Sequence, residues 1–417
     1  MRRRRAVPLL AAAALLALLA GGPAAAAPAT DPTSAARPTA DTAAPTPSAP
    51  LTGPPERGTA PDGSTVGGQR LGSRGTVVAD GAPPLPAGIT ATAWLVADAS
   101  SGRVLAARDA HGRHYPASTL KTLTLLTLVP RLDPAQVVEA TPEDEQVEGS
   151  RVGLVACGRY PVSLLFEALV LQSGNDAASA LARVAGGQEA TVAAMNRTAS
   201  DLGAYDTVAG NPSGLDVAGQ TTSAYDLALI FRALLEEPAA AAVLRVPTAA
   251  VPPVEGRSPG FQIQNQNPLA GYPGGLGGKT GFTDAARHTF VTGAERDGRR
   301  LVVSVLDTEN VPLRAADQAA LLLDWGFAVP PATPGVGRLV RPGDLLAAPA
   351  PAPAATPAPP RPGAGRTTGA ATPWLLPALG GAAVLSATLL GAGSARRRRV
   401  RPAAEPPARG RRPSRRR

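Results

Sequence analysis

Two long stretches of low sequence complexity confine any folded domain to the middle of this 417-residue chain. Residues 28–88 consist mainly of alanine, proline, threonine, serine, glycine and aspartate, and residues 330–373 are rich in proline and alanine. Such segments hold too little apolar surface to offset the conformational entropy lost on folding, so both are predicted to be disordered linkers. The folded domain is therefore predicted to span residues 89–329, which is long enough to bury a single core.

The two ends of the chain carry patterns typical of export and membrane insertion. Arginines 2–5, a short Ala/Leu run and several small residues predict a secretory signal peptide over residues 1–27. Residues 374–394 form an apolar run about long enough to cross a bilayer, and arginines 396–399 follow it directly. The positive-inside rule then predicts a transmembrane helix, a cytoplasmic tail over residues 395–417, and a domain on the extracellular side of the plasma membrane.

Charge and cysteine content narrow the possible functions. The formal net charge is +9, but the arginines of the two termini carry the excess, and the residues between them are net acidic. This distribution argues against a nucleic-acid partner, because the basic residues serve targeting and topology. The single cysteine, Cys157, excludes an internal disulfide and is predicted to be a small buried residue.

The order of apolar patterns predicts an α/β domain of the α+β kind. Strands are predicted at residues 90–97, 104–107, 288–293 and 301–306, and helices at residues 118–128, 161–171, 176–184, 190–202, 222–235 and 314–327. Thr222 is the predicted N-cap of its helix. Since strands lie at both ends and helices between them, the N- and C-terminal segments are predicted to form one antiparallel sheet with a helical insert.

A serine and a lysine open the first predicted helix of this domain. Positions i and i+3 share a helix face, so the Ser118 hydroxyl and the Lys121 amine are expected to meet. A buried lysine can take the proton of a serine, because desolvation lowers the lysine pKa. Only Lys121 and Lys279 are lysines among 41 basic residues. Arginine cannot replace lysine as a base, so the two lysines are predicted to be functional.

Two further tripeptides supply polar groups. Ser173-Gly174-Asn175 lies between two predicted helices, where Asn175 could also be a simple N-cap. Lys279-Thr280-Gly281 follows a glycine-dense run at the start of a predicted strand, where glycines allow another backbone to approach closely. Lys279 could instead be a solvated surface lysine, but the rarity of lysine in this chain favours a functional role.

The three histidines, His111, His114 and His288, do not indicate a competing site. His111 and His114 supply too few ligands for a metal centre. A Ser-His-Asp triad using His114 or His288 is disfavoured, because neither accompanies a G-x-S-x-G nucleophile elbow.

Taken in order, the three motifs resemble those of penicillin-binding proteins and serine β-lactamases. The Ser-Gly-Asn form, the segment Asn-Pro-Ser-Gly-Leu-Asp at 211–216 and the segment Leu-Leu-Asp-Trp-Gly-Phe at 322–327 are similar to low-molecular-mass penicillin-binding proteins. These are serine-type D-alanyl-D-alanine carboxypeptidases of peptidase family S11. The resemblance covers residues 89–329 and implies a β-lactamase/transpeptidase-like fold.

The resemblance also implies an activity, the removal of the terminal D-alanine from peptidoglycan pentapeptide stems during cell-wall biogenesis. Ser118 would attack the carbonyl of the penultimate D-alanine, Lys121 would accept the serine proton, and Ser173 would relay a proton to the leaving D-alanine. β-Lactam antibiotics would be covalent inhibitors. No metal or other cofactor is implied.

Substrate binding is implied for a second group of residues. Asn175 would hold the substrate amide, and Lys279 with Thr280 would bind the terminal carboxylate. The peptide would lie along the strand through Gly281 and Phe282, with the N–H groups of Ser118 and Phe282 as the oxyanion hole. Arg314 is a further candidate for the carboxylate.

Two alternatives remain at this point. A serine β-lactamase shares the acyl-serine, but class A enzymes add a glutamate in a Glu-x-x-Leu-Asn segment that residues 211–216 do not supply. A non-catalytic penicillin-binding sensor would need an intracellular signalling domain, and residues 395–417 are too short and too charged to fold.

Overall fold

The computed structural model describes residues 39–53, 57 and 59–345. These belong to one compact unit, Met1–Ala352, and the second unit, Pro353–Arg417, lies outside the described residues. The predicted signal peptide, transmembrane helix and cytoplasmic tail also lie outside them. In the described part of the chain, no helix is both long and apolar enough to cross a bilayer.

A seven-stranded antiparallel sheet forms the centre of the domain. Its strands are β1 (Thr76–Val78), β2 (Ala93–Asp98), β3 (Arg103–Arg108), β8 (Gly275–Thr283), β9 (Arg287–Arg296), β10 (Arg299–Thr308) and β11 (Gly337–Arg338). The spatial order is β1-β3-β2-β10-β9-β8, and β11 also pairs with β3. Strands from the two ends of the domain thus share one sheet, which confirms the predicted fold class.

A helical insert lies between β3 and β8 in the chain. Its elements are α1 (Lys121–Leu128), β4 (Val137–Glu139), α2 (Pro142–Glu145), β5 (Arg159–Pro161), α3 (Val162–Leu171), α4 (Asn175–Val184), α5 (Gln188–Leu202), α6 (Ala224–Glu236), α7 (Pro238–Leu244), β6 (Thr248–Val251) and β7 (Phe261–Gln264). A last helix, α8 (Ala315–Ala328), follows the sheet.

The sheet separates two hydrophobic cores because side chains alternate between its faces. On β2, Leu95 and Ala97 face the core shared with the helical insert, whereas Trp94 and Val96 face the core shared with α8. All four residues are fully buried. A strand buried on both faces reads as a continuous apolar run, as this part of the sequence does.

Strand β8 ends the sheet beside the insert. It pairs with β9, and Gly281 approaches the turn before α1 so closely that a Cβ on it would overlap Thr289 Oγ1 and lie 2.8 Å from Ser118 N. Glycine is therefore required there. This contact brings two of the three predicted motifs to one cleft.

The predicted domain boundaries at 89 and 329 are wrong, because ordered structure extends beyond both. β1 pairs with β3 at Thr76↔Arg108, and β11 pairs with β3 at Gly337↔Val104. Both satisfy backbone groups on the outer edge of β3, which would otherwise lie open to pairing with another chain. Leu71, inside the predicted N-terminal linker, is fully buried.

Two local predictions also need correction, and some elements were not predicted. The N-cap of α6 is Ser223, whose hydroxyl accepts from Asp226 N at 3.1 Å, and not Thr222. Helix α7 and the β6–β7 hairpin were not predicted. Cys157 is exposed in a turn, where its φ of 67° is left-handed, so the prediction of a buried cysteine is wrong.

Candidate active site

The serine lies on a short 3₁₀ turn, Ala117–Leu120, that leads directly into α1. Pro116 O anchors this turn, because it accepts from Thr119 Oγ1 at 2.6 Å and from Thr289 Oγ1 on β9 at 3.0 Å. Ala117 has a φ of 47°, a strained value for a residue other than glycine. The turn therefore holds the half-buried Ser118 between α1 and the sheet.

Lys121 is fully buried, and its amine has three oxygen neighbours. Nζ lies 2.7 Å from Asn175 Oδ1, 2.5 Å from Ser213 O and 3.0 Å from Ser118 Oγ. Burial first, and then the charge of Lys279, hold the pKa of Lys121 well below its usual value. The amine is therefore suited to the neutral state.

The three contacts match the hydrogen-bonding groups of a neutral amine one for one. Such an amine has two N–H bonds and one lone pair. Asn175 Oδ1 and Ser213 O offer no proton, so they accept the two N–H bonds. The lone pair is left for the Ser118 hydroxyl at 3.0 Å. This is the arrangement in which a lysine removes a serine proton.

The Ser173-Gly174-Asn175 turn joins α3 to α4 beside this pair. Asn175 N donates to Ser150 O at 2.7 Å, and Asn175 Nδ2 donates to Glu148 O at 2.6 Å. Ser173 has a φ of 57°, and its Oγ is buried without a hydrogen-bond partner. A strained residue with an unpaired hydroxyl is typical of a functional site.

Lys279, Thr280 and Ser173 line one small cavity. Lys279 is buried, and its Nζ donates to Thr280 O at 2.8 Å. Burial lowers the pKa of Lys279 to about 7. Phe282, the residue after the tripeptide, is 49% exposed, and its ring lies 4.5 Å from that of His288. The structure thus brings the three motifs to one cleft.

One functional group of the site could not be recognised from the sequence. It is the backbone carbonyl of Ser213, in the loop of residues 211–216. Asn211 Oδ1 shapes this loop by accepting from Ser213 N at 3.0 Å and Gly214 N at 2.7 Å. Gly214 has a φ of 84°, and a Cβ there would overlap Ala117 O. The loop therefore packs tightly against the serine turn.

The structure keeps other candidates away from Ser118. Arg314 Nε donates to Asp317 Oδ2 at 2.9 Å, and no contact with Lys279 is seen among the described residues. His114 Nδ1 lies 3.5 Å from Asp307 Oδ2, and His288 packs on Phe282. Neither histidine contacts Ser118 in the described part of the chain, so a Ser-His-Asp triad is not formed.

A histidine and two aspartates cluster elsewhere. His111, Asp206 and Asp226 are buried with potential ligand atoms within 4.8 Å of one another. His111 Nδ1 lies 2.7 Å from Asp206 Oδ2, and His111 Nε2 lies 3.0 Å from Val66 O. Both ring nitrogens are thus engaged, and His111 links residue 66 to the helical insert.

Comparison with known proteins identifies the family. Residues 79–310, which include every residue of the cleft named above, match the Peptidase S11 family model, D-alanyl-D-alanine carboxypeptidase. The chain belongs to this family. It is a D-alanyl-D-alanine carboxypeptidase, a hydrolase with the β-lactamase-like fold of DD-peptidases.

Individual members of the family agree with this assignment. The chain is 46% identical over 257 residues to D-alanyl-D-alanine carboxypeptidase DacB2 of Mycobacterium tuberculosis, a match that covers 60% of this chain and 87% of the relative. A crystal structure of D-alanyl-D-alanine carboxypeptidase from M. tuberculosis superposes with a TM-score of 0.59 at 44% identity, covering 63% of this chain and 99% of that one.

A more distant structure agrees in fold alone. The Streptomyces K15 DD-transpeptidase is 23% identical and superposes with a TM-score of 0.56, covering 59% of this chain and 100% of that one.

Proposed function

We propose that the carboxypeptidase reaction of this chain proceeds through an acyl-enzyme on Ser118. Ser118 Oγ attacks the carbonyl carbon of the penultimate D-alanine while the lone pair of Lys121 Nζ takes the hydroxyl proton. The observation that carries this assignment is the amine itself, because two carbonyl oxygens accept its N–H bonds and Ser118 Oγ lies 3.0 Å away.

Collapse of the tetrahedral intermediate breaks the peptide bond and releases the terminal D-alanine. The leaving nitrogen needs a proton, which the unpaired hydroxyl of Ser173 relays from Lys121. Water then attacks the ester, Ser118 regains its proton, and a tetrapeptide stem leaves. The N–H groups of Ser118 and Phe282 form the oxyanion hole in this proposal, which the close packing of Gly281 on Ser118 supports.

Lys279 and Thr280 bind the terminal carboxylate in this proposal, and Asn175 holds the substrate amide. The support is that Lys279, Thr280 and Ser173 line one cavity at the end of the sheet. The stem peptide lies along β8 from Lys279 to Phe282, because β8 has no strand partner on its cleft side in the described residues.

The proposal is tested with the purified full chain in detergent. Benzylpenicillin should add one covalent adduct, located by peptide mass spectrometry, and a pentapeptide stem should release D-alanine. The adduct should persist, because Asp216, the acid of the 211–216 loop, accepts from Thr283 Oγ1 at 2.9 Å and is not poised beside Ser118. Rapid turnover of penicillin would point to a β-lactamase instead.

The pKa of Lys279 predicts a pH dependence. Only protonated Lys279 attracts the carboxylate, and in the free enzyme it loses its proton as the pH rises through about 7. We therefore expect kcat/KM for D-alanine release to fall above about pH 7, since kcat/KM reports the free enzyme. In Lys279→Arg this decline should vanish, because guanidinium stays charged. An unchanged decline in the variant would assign it to another group.

We further propose that residues 1–27 direct export and that residues 374–394 anchor the domain on the outer face of the plasma membrane. The support is the arginine cluster at 396–399 directly after the apolar run. Deleting the chain from Trp374 onward is expected to release active protein into the medium. Immunoblots of membrane and medium fractions measure this, with the full chain as control, and a truncated protein that stays in the membrane would refute the anchor.

A further inference from the structure

The carboxylate of Asp176, next to Asn175 on α4, is fully buried and binds a neighbouring loop. It accepts from Val152 N at 2.9 Å, Gly153 N at 2.8 Å and Leu154 N at 3.0 Å. Three successive backbone N–H groups thus converge on one carboxylate. Asp176 therefore binds the loop of residues 148–154 to the start of α4.

The same loop returns to Asn175 and fixes its amide. Ser150 O accepts from Asn175 N, and Glu148 O accepts from Asn175 Nδ2. Gly149, between these carbonyls, has a φ of 79°, and a Cβ on it would lie 2.7 Å from Asn175 Nδ2. The backbone of the loop thus lies directly against the asparagine side chain.

The amide orientation matters for the lysine. Because Glu148 O can only accept, the nitrogen of the Asn175 amide must face it, and Oδ1 must face Lys121 Nζ. A flipped amide would place an NH₂ group against the amine and would leave one lysine N–H without an acceptor. The lone pair of Lys121 would then no longer be reserved for Ser118.

We propose that Asp176 is a positioning residue for proton transfer, acting on Lys121 through the loop of residues 148–154 and Asn175. This inference rests on the proposed function of Ser118 and Lys121. The carboxylate also acts on the amine through space. Among the described residues, the charged groups that influence Lys121 are Lys279 on β8, which lowers its pKa, and Asp176 on α4, which raises it.

The test is Asp176→Asn in the full chain, with the rate of acylation by a fluorescent penicillin measured against pH. The NH₂ group of the asparagine would face the backbone N–H groups of the loop, and two donors cannot hydrogen-bond to each other. The loop should therefore shift, and the maximal rate should fall by about 10- to 100-fold. Loss of the negative charge should lower the pKa of Lys121. The acid limb of the profile, where Lys121 gains its proton, should therefore move to lower pH.

Asp144→Asn is the matched control. Asp144 is also buried, and it accepts from Arg183 Nη2 at 2.7 Å and Ser179 Oγ at 2.8 Å, both on α4, without contacting the cleft. The acid limb and the maximal rate of the Asp144→Asn variant should match those of the wild-type protein. A lower rate in Asp176→Asn with an unmoved acid limb would show a merely structural role and overturn the proposal.

If circular dichroism shows that Asp176→Asn does not fold, Asp176→Glu is used to test the proposal. It keeps the charge but displaces the carboxylate, so we expect a lower maximal rate with the acid limb at the wild-type pH. A wild-type rate or a moved limb would overturn the proposal. Labelling of the wild-type protein at a residue other than Ser118 would instead refute the proposed function, whatever the Asp176 variants do.

Discussion

Replacing Ser118 by alanine is expected to abolish both covalent penicillin labelling and D-alanine release. In the proposed mechanism the Ser118 hydroxyl forms the ester in either reaction, and among the described residues no second serine hydroxyl is hydrogen-bonded to a lysine amine. The expected loss is therefore complete within detection, unlike the partial losses from removing a supporting group. Intact-protein mass spectrometry after incubation with benzylpenicillin measures labelling, and an amino-acid assay measures D-alanine.

Ser173→Ala provides the comparison for this experiment. Its hydroxyl is buried in the same cleft but lies outside the proposed ester bond, so the variant should still be labelled, although more slowly. Labelling that survives in Ser118→Ala, or that disappears in Ser173→Ala and not in Ser118→Ala, would move the nucleophile to another serine.

Replacing Lys121 by arginine is expected to slow acylation by about 10²–10⁴-fold, the usual contribution of a general base. In the proposed mechanism catalysis needs the neutral amine, and burial lowers the pKa of Lys121 toward that state. A guanidinium stays protonated, so it cannot take the Ser118 proton. The measurement is the second-order rate constant for acylation by a fluorescent penicillin.

Lys279→Arg is the matched control, because it makes the same change at the only other lysine. The proposed duty of Lys279 is electrostatic, and arginine preserves its charge, so this variant should retain partial activity. Equal losses of acylation rate in the two variants would refute the proposal that Lys121 acts as a base and Lys279 as a cation. A fully active Lys121→Arg would show that another group is the base, and His114 and His288 would be tested next.

The chemistry of the site could be predicted from residue types and order. The spacing of Ser118 and Lys121 and the rarity of lysine indicated a candidate nucleophile and a candidate base. The resemblance carried by the two later tripeptides implied the carboxylate site. The structure brings all three motifs to one cleft, as the sequence predicted. Long apolar runs likewise predicted the central strands and most helices, because a buried element needs an apolar face wherever it lies.

The limits of the domain could not be predicted in the same way. β1 and β11 are three and two residues long, and they attach to β3 by backbone hydrogen bonds that any residue except proline can form. Both strands also lie within longer segments whose overall composition is that of a linker. Cys157 was misplaced for a related reason, since residue type alone does not reveal that it lies in an exposed turn with a left-handed φ.

The sequence by itself singled out the candidate side chains, since lysine, unlike arginine, can serve as either a base or a cation. The tertiary structure alone decided which oxygens accept the N–H bonds of the Lys121 amine. Its acceptors, Asn175 Oδ1 and Ser213 O, lie 54 and 92 positions away. Every residue carries a carbonyl, so no motif can show which one faces an amine; that depends on close packing of the loops that hold Asn175 and Ser213.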